Sequence, residues 1–178
     1  MKKLMLIFLG LLFSFTQVTA DGFRSVHTAD GTTIWAVGNS GSLFRSLDGG
    51  NTWSQLVQGN STLRSVFAIG TDVWMVGDNG ACYASSDGGA SFDQKTPAGN
   101  TNLTRVVFVD SLHGWIAGAN GTLLRSSDRG TTWSTVPLGT LHALTALFFV
   151  DGQTGYVGGA EGLLMKTIDG GASWTNIS

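Results

Sequence analysis

The chain has 178 residues, of which 42% are apolar, 12% are charged, 26 are glycine and 2 are proline, with a formal charge of −2. Apolar content at this level excludes a disordered chain despite the glycine. So mild a charge excludes a general electrostatic grip on nucleic acid or an anionic membrane surface. A single cysteine, Cys82, excludes an internal disulfide, so packing and backbone hydrogen bonds must hold the fold.

Residues 1–20 read as a signal peptide. Lys2 and Lys3 form a basic start, residues 4–13 an apolar run, and Val18-Thr19-Ala20 a small-residue cleavage site. The run is too short to cross a bilayer as a helix. The mature chain, residues 21–178, would carry a formal charge of −4 without Lys2 and Lys3. It would be periplasmic or secreted, with no membrane span left after cleavage, and long enough for one domain with a core.

From residue 23 the chain is four copies of one unit, over about 23–61, 62–102, 103–143 and 144–178. The stretch Ser46-Leu-Asp-Gly-Gly-Asn-Thr-Trp53 recurs over residues 85–92, 126–133 and 167–174. Its aspartates, Asp48, Asp87, Asp128 and Asp169, are 39, 41 and 41 residues apart. Thirteen residues before each stands Trp35, Trp74, Trp115 or Tyr156, followed by a G-x-x-G pair beginning at Gly38, Gly77, Gly118 or Gly159. All six tryptophans fall on one of two repeat positions.

Within the second unit, residues 63–69 predict a first strand and 72–76 a second, ended by a turn at 77–80. A third strand spans 81–85, a turn 86–90, and a fourth strand starts at Ser91. Four short strands per unit of this length match one propeller blade, and no helical period appears after residue 20. The predicted fold is therefore an all-β propeller with four blades of four antiparallel strands. Cys82 aligns with Leu43, Leu123 and Leu164 and so reads as a buried apolar position.

Ser/Thr-x-Asp-x-Gly-x-Thr/Ser-aromatic resembles the Asp-box, or bacterial neuraminidase repeat. The longer pattern from Trp115 through Gly118, Gly121 and Asp128 to Trp133 resembles repeats of the photosystem II stability/assembly factor family. That resemblance covers about residues 23–178. It implies a larger propeller of about seven blades, so that these four form a piece, or an arc that closes by self-association with another copy. An open arc would leave strand edges and an apolar blade face exposed. It also implies a non-enzymatic scaffold that binds a protein partner, in the thylakoid lumen if the host is photosynthetic.

The Asp-box chemistry reads as structural. Each aspartate can accept hydrogen bonds from its own turn, and Trp53, Phe92, Trp133 and Trp174 can bury a large apolar surface against the blade. A calcium site would need several more oxygen ligands than the one carboxylate of each box. Sialidases share the repeat, making a glycan-binding module or glycoside hydrolase fragment the alternative. That chemistry needs paired acids or a supported tyrosine. The one glutamate, Glu161, aligns with the turn residues Ser40, Asn79 and Asn120. His27, His113 and His142 show no ligand spacing, so neither a metal nor a cofactor is expected.

Arginine carries the strongest hint of a site. Aligned on the strand that opens each unit, Arg24, Arg64 and Arg105 share one position, with Ala146 in the fourth unit. That strand is innermost in a propeller, so the three side chains would gather near the axis and could meet an acidic partner. The family resemblance implies a basic patch of this kind; the competing reading is local pairing with acids. A second row, Arg45, Arg125 and Lys166, reads as a solvated edge.

Overall fold

The computed structural model describes residues 22–178. The expected signal segment lies outside the described residues. The rest is four antiparallel meanders, each a four-stranded sheet in chain order. Blade 1 comprises β1 (Phe23–Thr28), β2 (Ile34–Gly38), β3 (Ser42–Ser46) and β4 (Ser54–Val57). Blade 2 comprises β5 (Leu63–Ile69), β6 (Asp72–Gly77), β7 (Cys82–Ser85) and β8 (Asp93–Lys95). In blade 3 the strands are β9 (Leu103–Phe108), β10 (Gly114–Gly118), β11 (Leu123–Ser126) and β12 (Ser134–Thr135). Blade 4 runs through β13 (Leu144–Phe149), β14 (Gly155–Gly159), β15 (Leu164–Thr167) and β16 (Thr175–Asn176). The first strands of successive blades lie side by side, and the blades fan out from them.

The sheets are short because turn residues punctuate them at fixed places. Between the second and third strands the chain enters the left-handed region at Ser40, Asn79, Asn120 and Glu161, with φ of 54–56°. Asparagine tolerates this conformation through its short polar side chain; Glu161 occupies the same turn position and is no exception in geometry. The next residue, Gly41, Gly80, Gly121 or Gly162, is also left-handed.

Side chains alternate between the two faces of each sheet, so every middle blade has two apolar faces. Three apolar clusters result, one at each junction between consecutive blades. At the first, Trp35, Val37 and Leu43 meet Leu63, Val66 and Met75. Trp74, Val76 and Cys82 then meet Leu103, Val106 and Ile116, and Trp115, Ala117 and Leu123 meet Leu144, Leu147 and Val157. Cys82 fills the place of Leu43 and Leu123, and burial pushes its thiol up to about 12, which makes it inert at neutral pH.

The Asp-boxes form the turns between third and fourth strands. In the first, the Thr52 amide and hydroxyl donate to the Asp48 carboxylate at 2.8 and 2.6 Å, and the Ser46 hydroxyl donates at 2.8 Å. Ser46 Oγ in turn accepts from the Gly50 amide at 2.8 Å. The same wiring joins Asp87 to Ser85 and Ser91, Asp128 to Ser126 and Thr132, and Asp169 to Thr167 and Ser173. Each carboxylate is thus engaged within its own turn. Asp30, Asp110 and Asp151 brace the first hairpin of blades 1, 3 and 4 similarly, each accepting from two backbone amides.

These hydrogen bonds stabilise the charged form of the box acids. Thr52 and Ser46 hold Asp48 at about 2, Ser173 and Thr167 hold Asp169 at about 2, and Asp87 and Asp128 are lowered in the same way. An unfolded aspartate titrates near ~3.9. The stabilisation is therefore complete above about pH 4 and is lost as pH falls towards 2 and below, where the folded turns must take up protons. Melting temperature measured against pH is expected to fall steeply in that window. The decline should be shallower in Asp128→Asn, which has one such carboxylate fewer.

Candidate partner-binding site at the inner strands

The three arginines lie at the start of the inner strands. At this place each strand bears a β-bulge: pairing runs from Leu63↔Gly77 to Ser65↔Val76 and skips Arg64. The same skip removes Arg24 from the β1–β2 ladder and Thr145 from β13–β14. In blade 3 the skipped residue is Thr104, and Arg105 pairs with Ala117, in the place of Ser25, Ser65 and Ala146. The alignment that put Arg105 level with Arg64 is therefore corrected: the equivalent row is Arg24, Arg64, Thr104 and Thr145. The cause is a one-residue difference in the first hairpin. Seven residues separate Phe67 from its partner Trp74, but eight separate Val107 from Trp115.

A bulge re-aims the side chain it carries. Here Arg24, Arg64, Thr104, Arg105 and Thr145 line one open cavity of about 280 Å³. Arg64 makes a bidentate pair with Asp78, with Nη2–Oδ2 at 3.1 Å. Arg24 Nε donates to Asn39 Oδ1 at 3.0 Å, and Arg105 Nη1 donates to the Thr104 carbonyl at 2.9 Å. Asn39 and Asp78 are the same turn residue in two blades, each just after the first glycine of its G-x-x-G pair, Gly38 or Gly77. Local pairing thus accounts for one guanidinium. The other two meet neutral oxygens, which leaves the cavity positively charged and short of acceptors. Thr104 Oγ1 donates to the carbonyls of Ala117 and Leu144 at 3.1 and 2.7 Å and ties blade 3 to blade 4 beneath it.

The second basic row is not a solvated edge. Arg45 and Arg125 lie over the indoles of Trp35 and Trp115 at 5.6 and 5.8 Å, and the Nε atoms of both are buried. Arg45 Nη1 also donates to the Gly88 carbonyl of the next box at 2.6 Å. The cation–π contacts lie within a blade, between cross-strand neighbours, and Arg45 in addition ties blade 1 to the box of blade 2. Alternation along β3 and β11 left this face ambiguous in the sequence, because the stacking partner sits on a neighbouring strand.

Two carboxylates line a second cavity, of about 220 Å³, between blades 2 and 3. Its two carboxylates, Asp72 and Asp93, have cationic neighbours, Arg129 at 3.6 Å and Lys95 at 3.5 Å. Glu161 is exposed and stands 3.6 Å from His142. Among the described residues, no three His, Cys, Asp or Glu side chains gather as a metal site would require, and no helix is long and apolar enough to cross a membrane.

The model of the family described as photosynthesis system II assembly factor YCF48 matches residues 57–127. A solved structure of YCF48 bound to D1 peptide superposes with a TM-score of 0.71 at 22% identity, over 86% of this chain and 54% of that one. YCF48 from Cyanidioschyzon merolae gives 0.70 at 16%, over 86% and 55%. A GH74 xyloglucanase from Xanthomonas campestris gives 0.73 at 16%, over 88% of this chain and 31% of that one. The chain spans little more than half the length of the YCF48 structures and under a third of the xyloglucanase. No curated protein sequence matches. With four Asp-boxes in register, four-stranded blades fanned from a shared inner row, and the family match over residues 57–127, the chain is an Asp-box β-propeller that is similar to YCF48 across its second blade and most of its third.

Proposed function

We propose that the chain is a non-enzymatic, exported scaffold whose inner-strand cavity captures an acidic or carboxylate-bearing segment of a protein partner, as a photosystem II assembly factor would. The observation that carries this reading is the convergence of Arg24, Arg64 and Arg105 on one cavity in which a single carboxylate, Asp78, offsets them. Guanidinium groups gathered in this way repel one another unless an anion joins them, and their planar forks suit carboxylates. YCF48 has been solved with a D1 peptide bound, which makes D1 peptide the natural first probe for this chain. In a photosynthetic host the setting would be the thylakoid lumen; elsewhere the same cavity would serve a periplasmic or secreted binding role.

Arg64→Glu combined with Arg105→Glu is expected to abolish D1 peptide capture, measured by fluorescence anisotropy, with the melting temperature little changed. Arg105 is exposed and the side chain of Arg64 is 40% exposed beside Asp78, so neither substitution opens the apolar core, although Arg64→Glu gives up the ion pair. Binding by the unmodified chain should weaken steeply with added salt. Undiminished capture by the double variant would remove the arginine cavity from consideration. The GH74 likeness is carried into the same experiment as a competing outcome: glycoside turnover that Glu161→Gln abolishes would favour an enzyme instead.

A further inference from the structure

We propose that the two open blade faces of the arc pair with those of a second copy of this chain, blade 4 of each on blade 1 of the other, giving a two-fold ring of eight blades. The three internal junctions define what such faces need. At each, one blade presents an indole from its second strand, and the next receives it with the glycine of its Asp-box. A Cβ at Gly130 would meet the Trp74 indole at 2.9 Å, and one at Gly171 would meet Trp115 at 2.5 Å. Gly89 lies as closely against Trp35, whose ring also meets Phe92 edge-on at 6.1 Å.

Blade 1 has this receiving face with nothing in it. Gly50 has only Ile34 and its own Trp53 nearby, at 3.6 and 3.8 Å. Val26 is 67% exposed, whereas its equivalents Val66, Val106 and Leu147 are 3%, 1% and 7% exposed. Phe23, Val26, Ala36, Phe44 and Trp53 line an apolar cavity of about 460 Å³ there. Blade 4 has the matching presenting face. Tyr156 holds the indole position, and Leu164 is 40% exposed where Leu43 and Leu123 are fully buried. Phe148 and Ile177 flank it, at 62% and 47%. Phe23, Val26, Trp53, Phe148, Leu164 and Ile177, six of the eleven exposed large apolar side chains among the described residues, lie on these two faces, a concentration that marks association surfaces.

The polar contacts correspond as well. Lys166 lies over Tyr156 at 5.8 Å, as Arg45 lies over Trp35. Arg45 reaches the Gly88 carbonyl of the following box; the equivalent carbonyl on blade 1 is that of Gly49. A second copy is the occupant that fits, because it brings both complementary faces in one molecule. A single two-fold operation then covers all four open faces, whereas a partner with one suitable face leaves the other exposed.

Sedimentation equilibrium on the purified chain tests this, and twice the single-chain mass is expected. Val26→Glu on one face and Phe148→Glu on the other should each abolish the dimer while far-UV circular dichroism stays unchanged. Mixing the two variants should restore a one-to-one pair, because one of its two interfaces is then free of both substitutions. Val26→Ser and Phe148→Ser replace either glutamate variant that does not fold. A single-chain mass at every attainable concentration would overturn the proposal, as would an assembly that grows without limit. So would a dimer that survives Phe148→Glu, because that outcome means blade 1 pairs with blade 1.

Discussion

Replacing Trp115 by alanine is expected to cost about 3–5 kcal/mol of folding stability, a large share of the ~5–15 kcal/mol that a domain possesses. The indole is 1% exposed and stacks on Phe149 with centroids 4.0 Å apart. Gly171 lies against its edge and Arg125 over its face. Removing the ring would therefore open a void between blades 3 and 4 and strand the Arg125 guanidinium stem beside it. The surrounding strands are held by their ladders and cannot collapse far, which places the loss at the upper end of the range. Urea denaturation followed by far-UV circular dichroism measures it.

A milder pair of substitutions separates ring packing from the indole N–H. Trp74 Nε1 donates to the Arg129 carbonyl at 2.8 Å, whereas Trp115 Nε1 is buried without an acceptor. Trp74→Phe deprives a carbonyl of its donor, at about 1 kcal/mol, in addition to lost ring area. Trp115→Phe discards an N–H that is already a liability, so its cost should be the smaller of the two. Equal losses would show that the hydrogen bond across the second junction contributes nothing measurable.

The repeat made the blades legible in the sequence, because turns and apolar positions recur at nearly constant spacing. Strand β5 runs from Leu63 to Ile69, as the apolar run there predicts. The box acids were equally readable: their partners lie two and four residues away, so local spacing contains the whole network. The inner-strand site was legible in composition but not in register. Arg105 and Arg64 stand at one distance from their tryptophans only because the second unit has a shorter hairpin. A bulge then decides which residue faces the cavity, and no residue type announces it. The stacking of Arg45 and Arg125 depends on strand neighbours, and the bond from Arg45 to Gly88 depends on the next blade. The hairpin acids Asp30, Asp110 and Asp151 were missed for a different reason. They recur in three units only, since Gly70-Thr71 replaces that loop in the second, and a signal absent from one copy is easily passed over.

Gly121→Ala is expected to be severely damaging for a single added methyl, at about 3 kcal/mol or more. Gly121 has φ +66°, in the left-handed region that an alanine enters at a cost of about 1–2 kcal/mol. Its amide donates to the His142 carbonyl at 3.0 Å, and an added Cβ would drive into the Thr140 carbonyl on the same connection. Both contacts are to backbone, so no side chain can rotate out of the way. The connection itself would have to move, and it leads directly into β13 and Thr145 on the wall of the arginine cavity. Two other glycines isolate the components. Gly139 is left-handed at φ +70° with no neighbour within 4 Å of an added Cβ, so Gly139→Ala should show the conformational cost alone. Gly152 is neither left-handed nor crowded, so Gly152→Ala should be neutral or slightly stabilising through the unfolded chain. Chemical denaturation of the three variants should rank them in that order. If Gly121→Ala lost no more than Gly139→Ala, the close passage of the turn against the blade connection would not be a determinant of stability, and the conformational preference of the turn would suffice.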